Sequence, residues 1–435
     1  MLEVIKTSDI KFYPHQQKEL EETKGLNKVA YYHDMGLGKT FTGAEHLVQL
    51  GAKVNLVICQ KSKIQDWIEH FTTYYGDKYK FFGIYDLTQK QDYKEFFDLA
   101  YTNEFNINVA VINYELAFRR KELLELTDFT LMLDESSMIQ NETAKRTKFI
   151  LKMKPKNIIL LSGTPTSGRY EKLWSQLHLL GWKISKDLFW KQYVDVEYLE
   201  NQGFPIKVVR GYKNVERLKS KMRKYGCRFL KTNDVFDLPK QLFNTIKVDI
   251  TTEYRKFRKS SIVFVEDKEL VGDTTLTKML YERMLCGSYN DEKLSALEDL
   301  INSTEDRLII FYNFNEELRK IEDICLKLDK PLSIVNGQTK DLSVYEEYQN
   351  SVTAIQYQAG AMGLNLQKAN KIIYFTPTLS SELFEQSKKR IHRIGQESTC
   401  FYYELVCENS IEEKIYKTLE MRRDYTNELF EQDCN

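Results

Sequence analysis

No stretch of this 435-residue chain approaches the ~20 consecutive apolar residues that a membrane-crossing helix needs. The opening residues, Met1-Leu2-Glu3-Val4-Ile5-Lys6, lack the apolar core of a secretory signal. Paired cysteines are missing as well. The seven cysteines (Cys59, Cys227, Cys286, Cys325, Cys400, Cys407 and Cys434) are odd in number, scattered, and never spaced as Cys-x-x-Cys. That pattern argues against a disulfide framework or a cysteine-built zinc site and fits free thiols in a reducing cytoplasm. Net charge is absent too, with 63 basic residues against 63 acidic ones. A nucleic-acid partner is therefore not announced by global charge, and any binding face has to be a local patch. What remains is the composition of a globular protein, 42% hydrophobic and 29% charged, long enough for two large domains or three small ones.

Against this background one stretch stands out: Tyr31-Tyr32-His33-Asp34-Met35-Gly36-Leu37-Gly38-Lys39-Thr40. A β-like run, Lys28 to Tyr32, precedes it, and a helix-like pattern, Thr42 to Val48, follows. A strand, a glycine-bearing turn ending in Gly-Lys-Thr and a helix form the phosphate-cradling arrangement of P-loop nucleotidases. Gly36 and Gly38 lack a Cβ, so the backbone can curl and aim N–H groups at phosphate oxygens. The helix points its positive end at the same anion. Lys39 supplies a point charge for the outer phosphates and Thr40 a hydroxyl for Mg²⁺. The first glycine of the general pattern is replaced by His33.

Val54–Cys59, Val109–Tyr114 and Asn157–Leu161 read as buried strands, and a helix carrying Trp67 follows the first of them. Phe129 to Leu133 runs directly into Asp134-Glu135-Ser136-Ser137. Both carboxylates should therefore sit at the C-terminal mouth of a parallel strand, where α/β sheets bind ligands. Asp134 is placed to hold Mg²⁺ through water, and Glu135 to orient and deprotonate an attacking water. Upstream, Gln16 in Phe12-Tyr13-Pro14-His15-Gln16-Gln17 has two readings: an adenine reader, or part of a helix start beside Pro14. From Glu171 to about Lys231 the pattern turns helical, with Trp174, Trp182 and Trp190 as core or docking anchors. Basic residues gather at Lys145-Arg146, Lys152–Lys156 and Lys219–Lys224, runs that are more often solvated faces than phosphate contacts.

A second α/β series begins near Thr245, with strands expected at 307–312, 332–335, 352–357, 371–375 and 401–406. It contains no Gly-Lys-Thr loop, so it should lack a nucleotide of its own. It does carry Ala359-Gly360-Ala361-Met362-Gly363-Leu364-Asn365-Leu366 and Arg390-Ile391-His392-Arg393-Ile394-Gly395-Gln396. Arg390 and Arg393 are spaced one helical turn apart, which would put two guanidiniums on one face, suited to a γ-phosphate. A basic face for nucleic-acid backbone, including Lys388 and Lys389, is the alternative.

In this order, these segments resemble the Swi/Snf-like branch of the superfamily two helicase-related, DNA-dependent ATPases. The resemblance runs from about Phe12 to Tyr416 and rests most heavily on Asp34–Thr40 and on Arg390–Gln396. It implies two RecA-like parallel-sheet domains in tandem with a helical insertion after the first, divided at 1–168, 169–240 and 241–435. It further implies ATP and Mg²⁺ in the cleft between the domains and duplex DNA as the favoured track, with single strands as an alternative. Gln16 would then read adenine, Arg390 and Arg393 would complete the site, and Gly363, Asn365 and Gln396 would join Met35–Thr40 in binding nucleotide. Ser137 stands where the family commonly has histidine, which touches the coupling of hydrolysis to motion. Read as it stands, the chain leaves no room for chromatin-reading or nuclease domains, so the implied setting is a bacterial or phage-infected cytoplasm. The implied activity is translocation on duplex DNA. A strand-separating or branch-migrating helicase and a non-catalytic ATP-gated clamp are the rivals.

Overall fold

A computed structural model describes residues 10–76, 82–201, 204–360 and 364–430 of the chain. The chain divides into two compact units: one runs up to Val235 and takes back the chain from Tyr425 onward, and the other spans Phe236–Asp424. Among the described residues no helix is long and apolar enough to cross a membrane.

The first unit is built on strands β1 (Lys28–His33), β2 (Val54–Cys59), β3 (Phe82–Asp86), β4 (Ile107–Asn113), β5 (Thr130–Asp134) and β6 (Asn157–Leu161), with an outlying hairpin, β7 (Val194–Asn201) and β8 (Phe204–Tyr212), and a late strand, β9 (Cys227–Leu230). Seven of them form one parallel sheet in the order β3-β4-β2-β5-β6-β1-β9. Helices cover both faces, which is why these strands read as predominantly apolar runs. In β1 the alternation is direct: Val29 and Tyr31 enter one core while Ala30 and Tyr32 enter the other. Leu56, Ile58, Leu131 and Leu133 are fully buried in that second core, each contributing about 1.5–3 kcal/mol of burial.

The expected helical stretch from Glu171 to Lys231 is corrected here. It contains helices at Trp174–Leu179, Lys186–Tyr193 and Val215–Lys224, but also the β7–β8 hairpin and β9. The hairpin follows the period-two pattern Val194-Asp195-Val196-Glu197-Tyr198, paired antiparallel with β8 and bulged between Asp195 and Val196. Strand β9 reaches the edge of the main sheet because Gly226, at φ 84°, lets its carbonyl accept from Ala30 N–H. A Cβ there would come within 2.4 Å of the Lys28 carbonyl oxygen. Trp182 is buried and Trp174 and Trp190 pack against the same core, as anchors rather than base platforms.

The second unit contains β10 (Gln241–Val248), β11 (Ile262–Val265), β12 (Lys268–Val271), β13 (Leu308–Tyr312), β14 (Leu332–Val335), β15 (Val352–Gln356), β16 (Lys371–Tyr374) and β17 (Cys400–Cys407). Six form a parallel sheet in the order β10-β17-β16-β13-β15-β14, again with a core on each face. The β11–β12 hairpin stands apart and has no counterpart in the sequence reading. In the first unit, Tyr425 joins Tyr170 and Tyr212, its carbonyl accepting from Tyr170 Oη at 2.7 Å.

Candidate nucleotide site

The site of the first unit lies at the C-terminal ends of β1, β5 and β6. Strand β1 stops at His33, and the helix that follows starts at Lys39. Between them Gly36 (φ 86°) and Gly38 (φ 70°) take the left-handed backbone that side-chain-bearing residues avoid. Gly38 has a second reason to lack a side chain, since a Cβ would fall 2.3 Å from Gln16 Nε2. The Lys39 ammonium donates to the carbonyls of His33 (2.7 Å) and Asp34 (3.0 Å), so the loop carries its own cation across its mouth. Gly163, from the loop after β6, lies against that ammonium, with a built Cβ 3.5 Å from Lys39 Nζ.

Two neighbours hold the loop in place. The carboxylate of Asp34 accepts from the N–H and the hydroxyl of Thr232, both at 3.1 Å. His33 is buried with its Nε2 3.6 Å from Glu19, which in turn accepts from Arg228 at 3.0 Å. Burial lowers the His33 pKa despite the Glu19 carboxylate. The histidine in place of the usual first glycine therefore packs the loop against the helix Pro14–Glu22.

Gln16 belongs to that helix. It is 3% exposed; its Oε1 accepts from Tyr13 N–H at 2.9 Å and its Nε2 donates to the Leu37 and Gly38 carbonyls at 3.4 and 3.2 Å. His15 Nε2 reaches the Leu37 carbonyl as well, at 3.0 Å. In this structure the amide is a brace on the phosphate loop and a helix start at once.

Strand β5 ends at Asp134, and Glu135 follows in a left-handed conformation, φ 55° and ψ 63°. A bulky residue is strained there, which turns the second carboxylate away from the strand direction. Ser162 donates to Glu135 Oε1 at 2.5 Å and Ser137 at 2.9 Å. Burial raises the Glu135 pKa, opposed by the Ser162 hydrogen bond and the Lys39 charge. Asp134 is raised by burial too, against the hydrogen bond from Trp67 and the charge of Lys39.

Trp67 is the residue that sequence reasoning left without a role. Its Nε1 donates to Asp134 Oδ2 at 2.8 Å. Tyr114 is a second, its hydroxyl donating to the carbonyls of Asp134 (3.0 Å) and Glu135 (3.3 Å). Neither carries a local motif; each was visible only as an aromatic beside a strand. The donor set fits a hard cation: a threonine hydroxyl in the first helical turn and an aspartate with one oxygen fixed by an indole. Thr40 and Asp134 are the residues that would hold Mg²⁺ there.

In the second unit the helix Ser381–Lys388 stops before the arginines, so Arg390 and Arg393 occupy a turn and not one helical face. Arg390 N–H donates to the Ser387 carbonyl, a tighter i→i−3 closure, and the Lys388 and Arg390 carbonyls accept from Tyr402 Oη and Leu366 N–H. Arg390 is buried, with Nε lacking a hydrogen-bond partner among the described residues, and burial lowers its pKa to about 10 with help from the Arg393 charge. Arg393 donates to Asn365 Oδ1, which joins two of the proposed site residues. Gln396 is occupied otherwise: its Nε2 donates to the carbonyls of Gln367, Ala369 and Ile391, and its Oε1 accepts from Ser398 N–H. Gly363 lies outside the described residues. Lys388, a candidate for nucleic-acid contact, is buried and bonded to Glu385 at 2.6 Å, which removes it from a phosphate-binding face.

Two family models match the chain, and they meet at residues 292–294 and not at the boundary between the compact units after Val235. Residues 27–294 match the SNF2-related domain, and residues 292–395 match the helicase conserved C-terminal domain. YwqA of Bacillus subtilis (strain 168) is 25% identical over 92% of this chain and 46% of its own length. The SWI/SNF-related matrix-associated actin-dependent regulator of chromatin subfamily A member 1 of Mus musculus is 23% identical over 89% of this chain and 40% of its own. The chain thus spans less than half the length of these relatives. Among solved structures, the Sulfolobus solfataricus SWI2/SNF2 ATPase core in complex with dsDNA aligns with 96% of this chain and 92% of that chain, at 18% identity and a TM-score of 0.43. With the first of these domains covering more than half of its residues and the second directly after it, the chain belongs to the SNF2-related family.

Proposed function

We propose that the chain is a nucleic-acid-stimulated ATPase that translocates along duplex DNA. The observation that carries this reading is Glu135. A carboxylate on a strained turn, gripped by Ser162 at 2.5 Å and lying in the field of Lys39, is built to hold a water and take its proton. A passive clamp needs no such acid. Thr40 and Asp134 would hold Mg²⁺, which would supply charge neutralisation on the phosphate oxygens. Lys39 exchanges its backbone carbonyls for phosphate oxygens, Trp67 keeps Asp134 oriented, and burial brings the Glu135 pKa nearer to neutrality, where a base is most effective. Arg390 and Arg393 are the cations assigned to the transferred phosphate, Arg390 with its Nε without a partner among the described residues. Gln16 acts on nucleotide through the Leu37–Gly38 backbone it braces.

The track contacts in this reading go to phosphates, so binding falls with added salt and discriminates little between sequences. One observation favours strand separation as a second reading: the β7–β8 hairpin stands outside the main sheet and exposes Tyr198 at 63%. The test is ATP turnover at low salt without nucleic acid and with duplex DNA, single-stranded DNA or RNA, using Glu135→Gln as the blank. Stimulation by duplex, lost in that variant, supports the translocase. Stimulation by single strands alone favours the helicase, and turnover no faster than the blank on every track overturns the ATPase reading.

A further inference from the structure

Gln176, in the short helix Trp174–Leu179, is wholly buried, and its amide is shared among three segments that border the candidate site. Its Oε1 accepts from Tyr32 Oη at 2.9 Å and from Ser136 Oγ at 2.7 Å. Its Nε2 donates to the Pro165 carbonyl at 2.8 Å. The orientation is not arbitrary: a carbonyl oxygen can only accept, so the amino group must face Pro165 and the carbonyl must face the two hydroxyls. Tyr32 is in β1 next to His33, whose carbonyl holds Lys39. Ser136 follows Glu135, and Pro165 lies in the loop that begins at Ser162. Alongside, Ser175 Oγ donates to the Ile139 carbonyl at 2.6 Å, fixing the helix to the turn that follows the acids.

We propose that Gln176 is a positioning residue for hydrolysis, tying the Glu135 turn, the Ser162–Pro165 loop and the strand that feeds the phosphate loop into one body. The inference rests on the ATPase reading above. Without the amide, the Ser162–Glu135 hydrogen bond still has both of its partners, but their turns are no longer held at a common distance. Hydrolysis needs that distance; nucleotide binding, made by Lys39 and the loop backbone, does not.

Two variants separate positioning from mere packing. Gln176→Leu keeps the volume and removes every polar contact. It is expected to lower kcat about 30-fold, as for a loss of roughly 2 kcal/mol, with KM for ATP within about threefold. Gln176→Glu keeps the oxygen that accepts from Tyr32 and Ser136. It can donate to the Pro165 carbonyl only when protonated, so its kcat relative to wild type should climb as pH falls from about 8 to about 6. Hydrogen exchange of Gln176→Leu should quicken at 134–137 and 162–166 while the amides of β2 and β4 keep wild-type protection. A kcat within twofold of wild type, a flat pH ratio, or exchange that quickens evenly through the unit would overturn the proposal. If the wild-type protein turns over no faster than Glu135→Gln, the ATPase reading fails by itself. The exchange pattern then still decides whether Gln176 couples the two segments.

Discussion

The two units solve one architectural problem twice and then part company at the strand ends. Each is a parallel sheet with an apolar core on both faces. In the first, β5 delivers Glu135 to a half-buried turn where two serines hold it and a lysine faces it. In the second, the turn after β13 is closed by Glu317, wholly buried, accepting from the N–H groups of Asn313 (2.8 Å) and Phe314 (3.1 Å) and from Thr376 (3.0 Å). Both carboxyls are pushed up by burial, Glu317 to about 7. One acid is left partly open and strained, the other is sealed in as a turn clasp. The sheet therefore does not decide what an acid at its mouth does; access and the surrounding donors do.

The largest effects should come from breaking that contrast on its reactive side. Glu135→Gln keeps the size of the side chain and removes the base. Turnover is expected to drop ~10³-fold or more, with nucleotide still bound, as measured by steady-state hydrolysis and by titration with a non-hydrolysable analogue. Arg393→Ala should do the same from the second unit. Lys39→Ala should instead weaken binding itself. Equal losses of nucleotide affinity in Lys39→Ala and Arg393→Ala would break the assigned division of roles.

The sealed acid predicts a stability effect and not a kinetic one. Folded Glu317 keeps its proton to about pH 7, whereas the unfolded chain releases it near 4.5. The native state then binds more protons inside that window, so stability falls as pH rises through it and levels off above about 7. At ~1.4 kcal/mol per pH unit the loss approaches ~3 kcal/mol. Glu317→Gln should flatten the profile of urea unfolding between about pH 5 and pH 8 and raise stability at the alkaline end. An unchanged slope would show that Glu317 is not the group responsible.

How far the sequence alone reached follows the same line between local and assembled features. Strands 54–59 and 157–161 were legible to the residue because burial on both faces leaves mostly apolar side chains there, with Asn55 and Asn157 as the exceptions. The phosphate loop and the Asp134-Glu135 pair were legible because their chemistry depends on contiguous residues. The β7–β8 hairpin was not: it lies between the helices Lys186–Tyr193 and Val215–Lys224, and the bulge between Asp195 and Val196 breaks its pairing register. Arg390 and Arg393 were read as sharing a helical face, whereas the helix ends at Lys388 and both lie in the turn that follows, which no local pattern signals. Gln16 kept two readings because a glutamine at a helix start looks the same whether its amide faces a ligand or, as here, the carbonyls of Leu37 and Gly38. Assembly alone reveals such partners.

The smallest expected effect tests a partner of that kind. Trp67 is 2% exposed, and its indole N–H fixes one oxygen of Asp134. Trp67→Phe keeps most of the ring and deletes the donor, which for a bond to a charged group costs about 1.5–3 kcal/mol when the acceptor stays buried. Asp134 is then no longer held in one orientation for the metal. The variant should therefore need several-fold more Mg²⁺ to reach half of its maximal turnover, while maximal turnover itself falls less than tenfold. If Trp67 served only as core, the Mg²⁺ dependence would stay at the wild-type value while the midpoint of unfolding dropped. The opposite pattern, an altered metal requirement with an unchanged midpoint, places the indole in the working site of the first unit and sharpens its contrast with the closed turn at Glu317.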